Sequence, residues 1–326
     1  MNILSVRQVS LTILPVIVLF LNSATSSNPQ NQVAQTCAAG SHPANVVFSI
    51  IDESGNVPTD VTKDDLTLKV NNEITPVSAI DLQVGTPLDL AVLIDVSVSQ
   101  EESLGVTKPV AKALIQEVLR APINRVALLS FSNEIEVEQP LTNDVSKLLA
   151  ALDSVKVVIP PGYVAGGIVV GPLPTRRPSF PGATSLWDTS ARALERIYGS
   201  VGDPKRRRAV ILLSDGVDTS SKGKISTSID SAIACDVAIY AIGVAGRDNT
   251  LDRGALRKVS EQTGGTAAFP KNREELKIAL LEISKRLGSQ YIISFCRAGD
   301  EHYKLRLDLK NPKLQKAQIA YPRERS

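Results

Sequence analysis

Three aliphatic runs, DLAVLID (89–95), AVILLSDG (209–216) and VAIYAIGV (237–244), limit the fold of this 326-residue chain more than any other feature. Each is too continuous for a strand with one wet face. Each suits a strand covered on both faces, as in a parallel sheet. Segments with helical spacing lie between them. VTKPVAKALIQEVLR (106–120) sets Val106, Val110, Ala113, Leu114 and Val118 on one side. DVSKLLAALDSV, residues 184–199, KISTSIDSAIACD and LDRGALRKVSEQTG read as further helices, the last ended by Gly264 and Gly265. RVALLSFS, EIEVEQPL and the short GTAAFP read as strands, and REELKIALLEISKRLGSQ as a final amphipathic helix. Strands alternating with helices over this length predict an α/β fold, a doubly wound and mostly parallel sheet.

The flanks read differently. VVFSIID, LTLKV and ITPVSAIDLQ before the α/β region are strand-like, with Asn71-Asn72-Glu73 as a hairpin turn. QYIISFC, HYKLRLDL and KAQIAYP follow it. Neither group has enough strands to bury a core alone, so the two are expected to pair into one small β-sandwich-like domain. The predicted layout is a signal peptide at 1–25, a linker at 26–43, sandwich strands at 44–84, the α/β domain at 85–288 and returning sandwich strands at 289–326.

At the N-terminus, Arg7 precedes the apolar run LTILPVIVLFL and the small polar residues NSATSS, the layout of a cleavable export signal. The run is shorter than the about 20 residues that a bilayer span takes, and Pro15 interrupts it. The expectation is an exported protein of the periplasm, cell surface or medium, with no membrane span after cleavage. Of three cysteines, Cys235 reads as a small buried side chain, while Cys37 and Cys296 either bridge the two chain ends or remain free thiols. Net charge is +2, which excludes a broad electrostatic footprint for nucleic acid. The one basic run, Lys205 to Arg208, reads as a solvated loop. A Pro/Gly-rich segment between Val155 and Gly182 is longer than usual for a connection in such a fold.

Ligands of open parallel sheets gather at the carboxyl ends of the strands. Asp95 ends the first aliphatic run, with Ser97 and Ser99 at the next alternate positions, and Asp215 ends another. Two carboxylates at one sheet edge repel, and burying either without a partner is costly. A divalent cation answers both. Carboxylate and hydroxyl oxygens suit Mg²⁺, Mn²⁺ or Ca²⁺ rather than zinc or copper, and Mg²⁺, which keeps several waters, suits a site with few protein ligands best. Such a site stays open to a carboxylate from a partner molecule.

Asp95-Val-Ser97-Val-Ser99 resembles the DxSxS motif of the von Willebrand factor type A domain, where it begins the metal-ion-dependent adhesion site (MIDAS). GATSLWD carries Thr184 where that family has its metal-linked threonine, and SDG carries Asp215 where it has its last aspartate. The resemblance implies a metal site of Asp95, Ser97, Ser99, Thr184 and Asp215, with Val98 where the family often has glycine. TKDDLTLKVNN, EQTGGTAAFP and LGSQYIISF are similar to the VWFA-related exported proteins of acidobacteria. Trp187 and Tyr163 read as packing and loop residues, and Asp188 and Asp218 as capping or solvated.

No GxSxG, HExxH or phosphate-loop pattern occurs, and the two histidines, His42 and His302, fall in the flanking β regions. The expected function is therefore a non-catalytic, metal-dependent protein-binding module that captures an acidic residue of a protein partner. The alternative is a structural or assembly factor of the cell envelope in which the metal serves only the fold. By analogy with relatives, the last helix could pass a shift to the β domain.

Overall fold

The computed structural model describes residues 37–38, 40–159, 163–164, 168–169, 183–199, 206–246, 249–299 and 302–325. The expected signal peptide and most of the linker lie outside the described residues, as does most of the Pro/Gly-rich segment. Among the described residues no helix is long and apolar enough to cross a membrane.

The central sheet has six strands in the order β12-β11-β10-β5-β6-β7, formed by β5 (Leu88–Asp95), β6 (Arg125–Phe131), β7 (Ile135–Thr142), β10 (Arg207–Ser214), β11 (Ala238–Gly243) and β12 (Ala267–Ala268). All its pairings are parallel except that of the edge strand β7. Every residue of β5 is buried, because alternate side chains feed two cores. Leu90, Val92 and Ile94 join Ile211, Leu213 and Ile242 on one face; Ala91 and Leu93 join Val210, Leu212 and Ile239 on the other. That two-sided burial is why the runs carry no polar alternation.

Among the described residues six helices cover the sheet: α1 (Leu104–Val118), α2 (Val145–Ser154), α3 (Leu186–Tyr198), α4 (Ile225–Ala234), α5 (Arg253–Thr263) and α6 (Arg273–Gly288). Helix α1 corrects the sequence reading of its inner face. Val106 is 58% exposed and Ala113 also faces out, whereas Leu104, Thr107, Ala111 and Ile115 are buried beside Val110, Leu114 and Val118. Helix α5 ends where Gly264 turns left-handed at φ 88°, as its glycine pair predicts.

The flanking strands build two four-stranded sheets, β15-β1-β13-β4 and β16-β14-β2-β3. Their strands are β1 (Ser41–Ile51), β2 (Leu66–Val70), β3 (Glu73–Thr75), β4 (Val77–Val84), β13 (Ser289–Ala298), β14 (Tyr303–Leu309), β15 (Gln318–Ala320) and β16 (Glu324–Arg325). Each sheet therefore mixes strands from both chain ends, and together they enclose Val46, Phe48, Leu68, Ile293, Phe295 and Leu307. Asn71 and Asn72, at φ 49° and 70°, make the expected hairpin turn from β2 to β3. Cys37 and Cys296 are joined by a disulfide across 259 residues, which answers the open question of their pairing, and Cys235 is free and half-buried. Beyond residue 159, four residues of the Pro/Gly-rich segment are described, Tyr163–Val164 and Ile168–Val169, and they pair antiparallel as β8 and β9.

The α/β and β parts are joined without a linker: Ser289, which follows α6, already belongs to β13. Arg286 on α6 is 0% exposed and reaches Glu282 at 3.0 Å, Ser49 of β1 at 3.1 Å and the Gln318 carbonyl of β15 at 3.4 Å. A buried guanidinium is tolerated there because its donors are answered from both parts.

Candidate metal centre

Strands β5 and β10 are neighbours in parallel register, with Ile94 opposite Leu213. Asp95 and Asp215 therefore leave the same edge of the sheet side by side, and both are buried, at 1% and 0% exposure. Asp95 Oδ1 accepts the Ser97 hydroxyl at 2.6 Å and the Ser97 amide at 3.0 Å. Its Oδ2 accepts the Ser214 hydroxyl at 2.7 Å. The Ser97 and Ser99 hydroxyl oxygens are 3.0 Å apart. Asp215 accepts the Val217 amide at 3.0 Å, Gln100 Nε2 at 2.8 Å and the Ser99 hydroxyl.

These partners are hydroxyls and amides, and no lysine or arginine is among them. Burial, reinforced by the nearby Asp215 charge, pushes the Asp95 carboxyl up to about 6, against the opposing pull of the Ser97 and Ser214 hydrogen bonds. Burial also raises Asp215. Among the described residues the two desolvated carboxylates have no opposite charge as a partner.

Thr184 reaches the same edge from the loop before α3. Its amide donates to Thr219 Oγ1 at 2.9 Å, and its carbonyl accepts the Thr219 and Ser220 amides at 2.9 and 3.0 Å. Ser185 and Ser220 hydroxyls both donate to Asn133 Oδ1, at 3.2 and 2.7 Å, which adds the loop after β6. The loops after β6 and β10 and the loop before α3 are stitched into one platform. Asp218 and Asp188, read from the sequence as capping or solvated, serve that stitching. Asp218 Oδ1 accepts the Leu186 amide at the start of α3, and Asp188 accepts the Lys222 and Gly223 amides. Trp187 is buried in the core.

Val98 opens the short 3₁₀ turn Val98–Gln100, and its φ is not positive. A β-branched residue is accommodated where the backbone does not require glycine. Gly246 is the opposite case, because a Cβ there would collide with Asp215 Oδ2. Gln100, Ser214 and Gly246 are parts of the site that sequence reading missed. Ser103 Oγ donates to Gln100 Oε1 at 2.5 Å, which turns the Gln100 amide nitrogen toward Asp215.

The donor set fits a hard divalent cation: two buried carboxylates, adjacent serine hydroxyls and a half-buried Ser99 on the solvent side. Among the described residues no group of three or more His, Cys, Asp or Glu side chains forms a metal-binding cluster, so the hydroxyls matter to the fit.

Residues 90–168 match the family model of the von Willebrand factor type A domain. The match covers the first part of the α/β sheet, whose mixed, mostly parallel architecture agrees with that class of domain. Among solved structures the chain is similar to the conserved hypothetical protein BatB from Bacteroides thetaiotaomicron, at 16% identity over 61% of this chain and 98% of that one, with a TM-score of 0.44. It is similar to a von Willebrand factor type A protein from Catenulispora acidiphila, at 14% identity over 89% and 75%, with a TM-score of 0.47. Proximal thread matrix protein 1 of the mussel byssus, whose MIDAS motif is occupied by zinc in its structure, is 15% identical over 63% of this chain, with a TM-score of 0.44. The chain spans 48% of that mussel protein. No curated protein matches the chain in sequence.

Proposed function

We propose that this chain is an exported, non-catalytic protein-binding module whose A-type domain (85–288), flanked by a β domain of residues 44–84 and 289–326, captures a partner carboxylate at a divalent metal. Asp95, Ser97, Ser99, Thr184 and Asp215 would hold the ion, Mg²⁺ by preference with Mn²⁺ or Ca²⁺ as substitutes. The observation that carries this reading is the meeting of Asp95 and Asp215 at one edge of the sheet, both buried and, among the described residues, both without a cationic partner. When bound, the metal supplies a Lewis-acid position for an incoming carboxylate oxygen. The chain's own residues do the rest. Ser97 and Ser214 fix both Asp95 oxygens, Gln100 and the Val217 amide fix those of Asp215, and Gly246 leaves room beside it.

Export is supported by the Cys37–Cys296 disulfide, since such bonds persist in oxidising compartments. The segment 156–182 is read as helping to select the partner; among its described residues, the Val158 amide donates to the Val96 carbonyl beside the motif at 2.9 Å. Calorimetric titration with Mg²⁺ tests the reading: wild-type protein binds one ion, and Asp95→Ala, still folded by circular dichroism, binds none. A protein in which Asp95→Ala keeps partner capture but melts early would instead be one whose metal serves only the fold.

A further inference from the structure

Helix α5 starts against the metal centre. The Asp252 amide, at its N-cap, donates to the Asp215 carbonyl at 2.7 Å, and a Cβ on Gly216 would meet Leu256 of α5 at 2.7 Å. From that rim the exposed face of α5 carries Arg253, Arg257 and Lys258. The Arg253 and Arg257 guanidinium groups both lie over the Phe269 ring, at 4.9 and 5.5 Å from its centroid. Shared stacking on one ring holds the two charges in place and leaves their N–H edges to solvent. The far end of this face opens into a shallow cavity of about 290 Å³ lined by Arg257, Lys258, Glu261 and, from the β part, Arg323. Arg323 is itself stacked over Tyr321 at 4.1 Å, and its amide donates to the Gln262 carbonyl at 3.1 Å. Among the described residues none of these four cations forms an ion pair, and Glu261 is the one acid lining the cavity.

We propose that this face of α5 is a cationic lane that docks an extended acidic polypeptide segment, one end of which delivers its carboxylate to the metal centre. The inference rests on the reading of that centre as a carboxylate receptor and names the class of partner it takes. Spacing favours an extended strand: residues four apart on a helix rise about 6 Å, and alternate residues of a strand advance about 6.6 Å. Carboxylates at every second position of a partner strand therefore match Arg253 and Arg257 in turn, then the cavity with Arg323.

The test is fluorescence anisotropy in Mg²⁺ with two labelled Gly/Ser peptides, one holding a single aspartate and one holding three at alternate positions. Exposed ion pairs contribute up to a few-fold each, so the three-aspartate peptide is expected to bind about tenfold tighter. The double substitution Arg253→Gln/Arg257→Gln should collapse that ratio toward one while leaving Mg²⁺ binding intact, and Asp95→Ala should weaken both peptides. A ratio unchanged by the double substitution, with Asp95→Ala still abolishing binding, overturns the lane and leaves the metal receptor standing. Loss of binding in the arginine variant with none in Asp95→Ala overturns the receptor end instead. A heparin oligosaccharide that displaces the three-aspartate peptide and binds Asp95→Ala undiminished would assign the lane to another class of ligand.

Discussion

Asp89 and Asp95 stand near opposite ends of one strand, β5, and the two ends are electrostatic opposites. Asp89 is buried at 7% exposure, and its carboxylate receives Arg125 at 2.6 and 2.9 Å and Arg206 at 2.7 and 2.8 Å. Burial alone would raise its pKa, yet the two guanidinium groups outweigh burial and hold it below the usual carboxylate range. Asp95 is buried as deeply, meets hydroxyls and a second carboxylate, and is pushed up to about 6. A buried acid that the fold has neutralised is there for the fold. One set among hydroxyls and a second carboxylate is where the proposed cation would supply the missing charge.

The comparison breaks most visibly if the two acids are removed separately. Asp89→Ala strands the Arg206 side chain, 15% exposed, and should cost about 3 kcal/mol of stability. Asp95→Ala in chelator should cost far less, since it relieves a repulsion; equal losses in urea unfolding would erase the distinction. Gly246→Val should cost about 2 kcal/mol through overpacking and remove the response to Mg²⁺, which a melt with and without the ion reads. Gln100→Ala leaves the metal donors in place but frees Asp215, and should weaken Mg²⁺ about tenfold by calorimetry. The smallest effect is in acid. The depressed pKa of Asp89 contributes stability that is fully present above its unfolded value of about 3.9 and fades as pH falls through the folded value. Asp89→Asn, less stable overall, should therefore lose less than wild type between about pH 5 and pH 3.

Sequence reading reached the Asp95 end of β5 more easily than its other end. Asp95 and Asp215 end strands whose two-sided burial is written as unbroken aliphatic runs, with Ser97 and Ser99 on the loop that follows Asp95, so their meeting follows from the parallel sheet; Thr184 comes from the loop before α3 and was legible only through the family motif. The sandwich was legible by elimination, because neither group of flanking strands suffices alone. What escaped depends on distant pairs. Lys205 to Arg208 reads as a solvated loop, but Arg206 is fixed to Asp89 across 117 positions and Arg208 lies over the Tyr198 ring; Lys205 lies outside the described residues. Gln100 and Gly246 share Asp215 without any local pattern that joins them. The inner face of α1 was misjudged because Val110, Leu114 and Val118 fit two overlapping stripes, and the start of the helix at Leu104 decides between them.

The central claim is that the Asp95–Asp215 edge is completed by a hard divalent cation. Thermal unfolding of wild type and Asp95→Ala in Mg²⁺ and in chelator tests it most directly. At a Mg²⁺ concentration about 100 times Kd, binding to the native state adds about 2.7 kcal/mol, so the wild-type Tm should rise by about 5 °C or more, and that of Asp95→Ala should not move. A wild-type Tm that is the same in Mg²⁺ and chelator, or an equal rise in both proteins, would contradict the account.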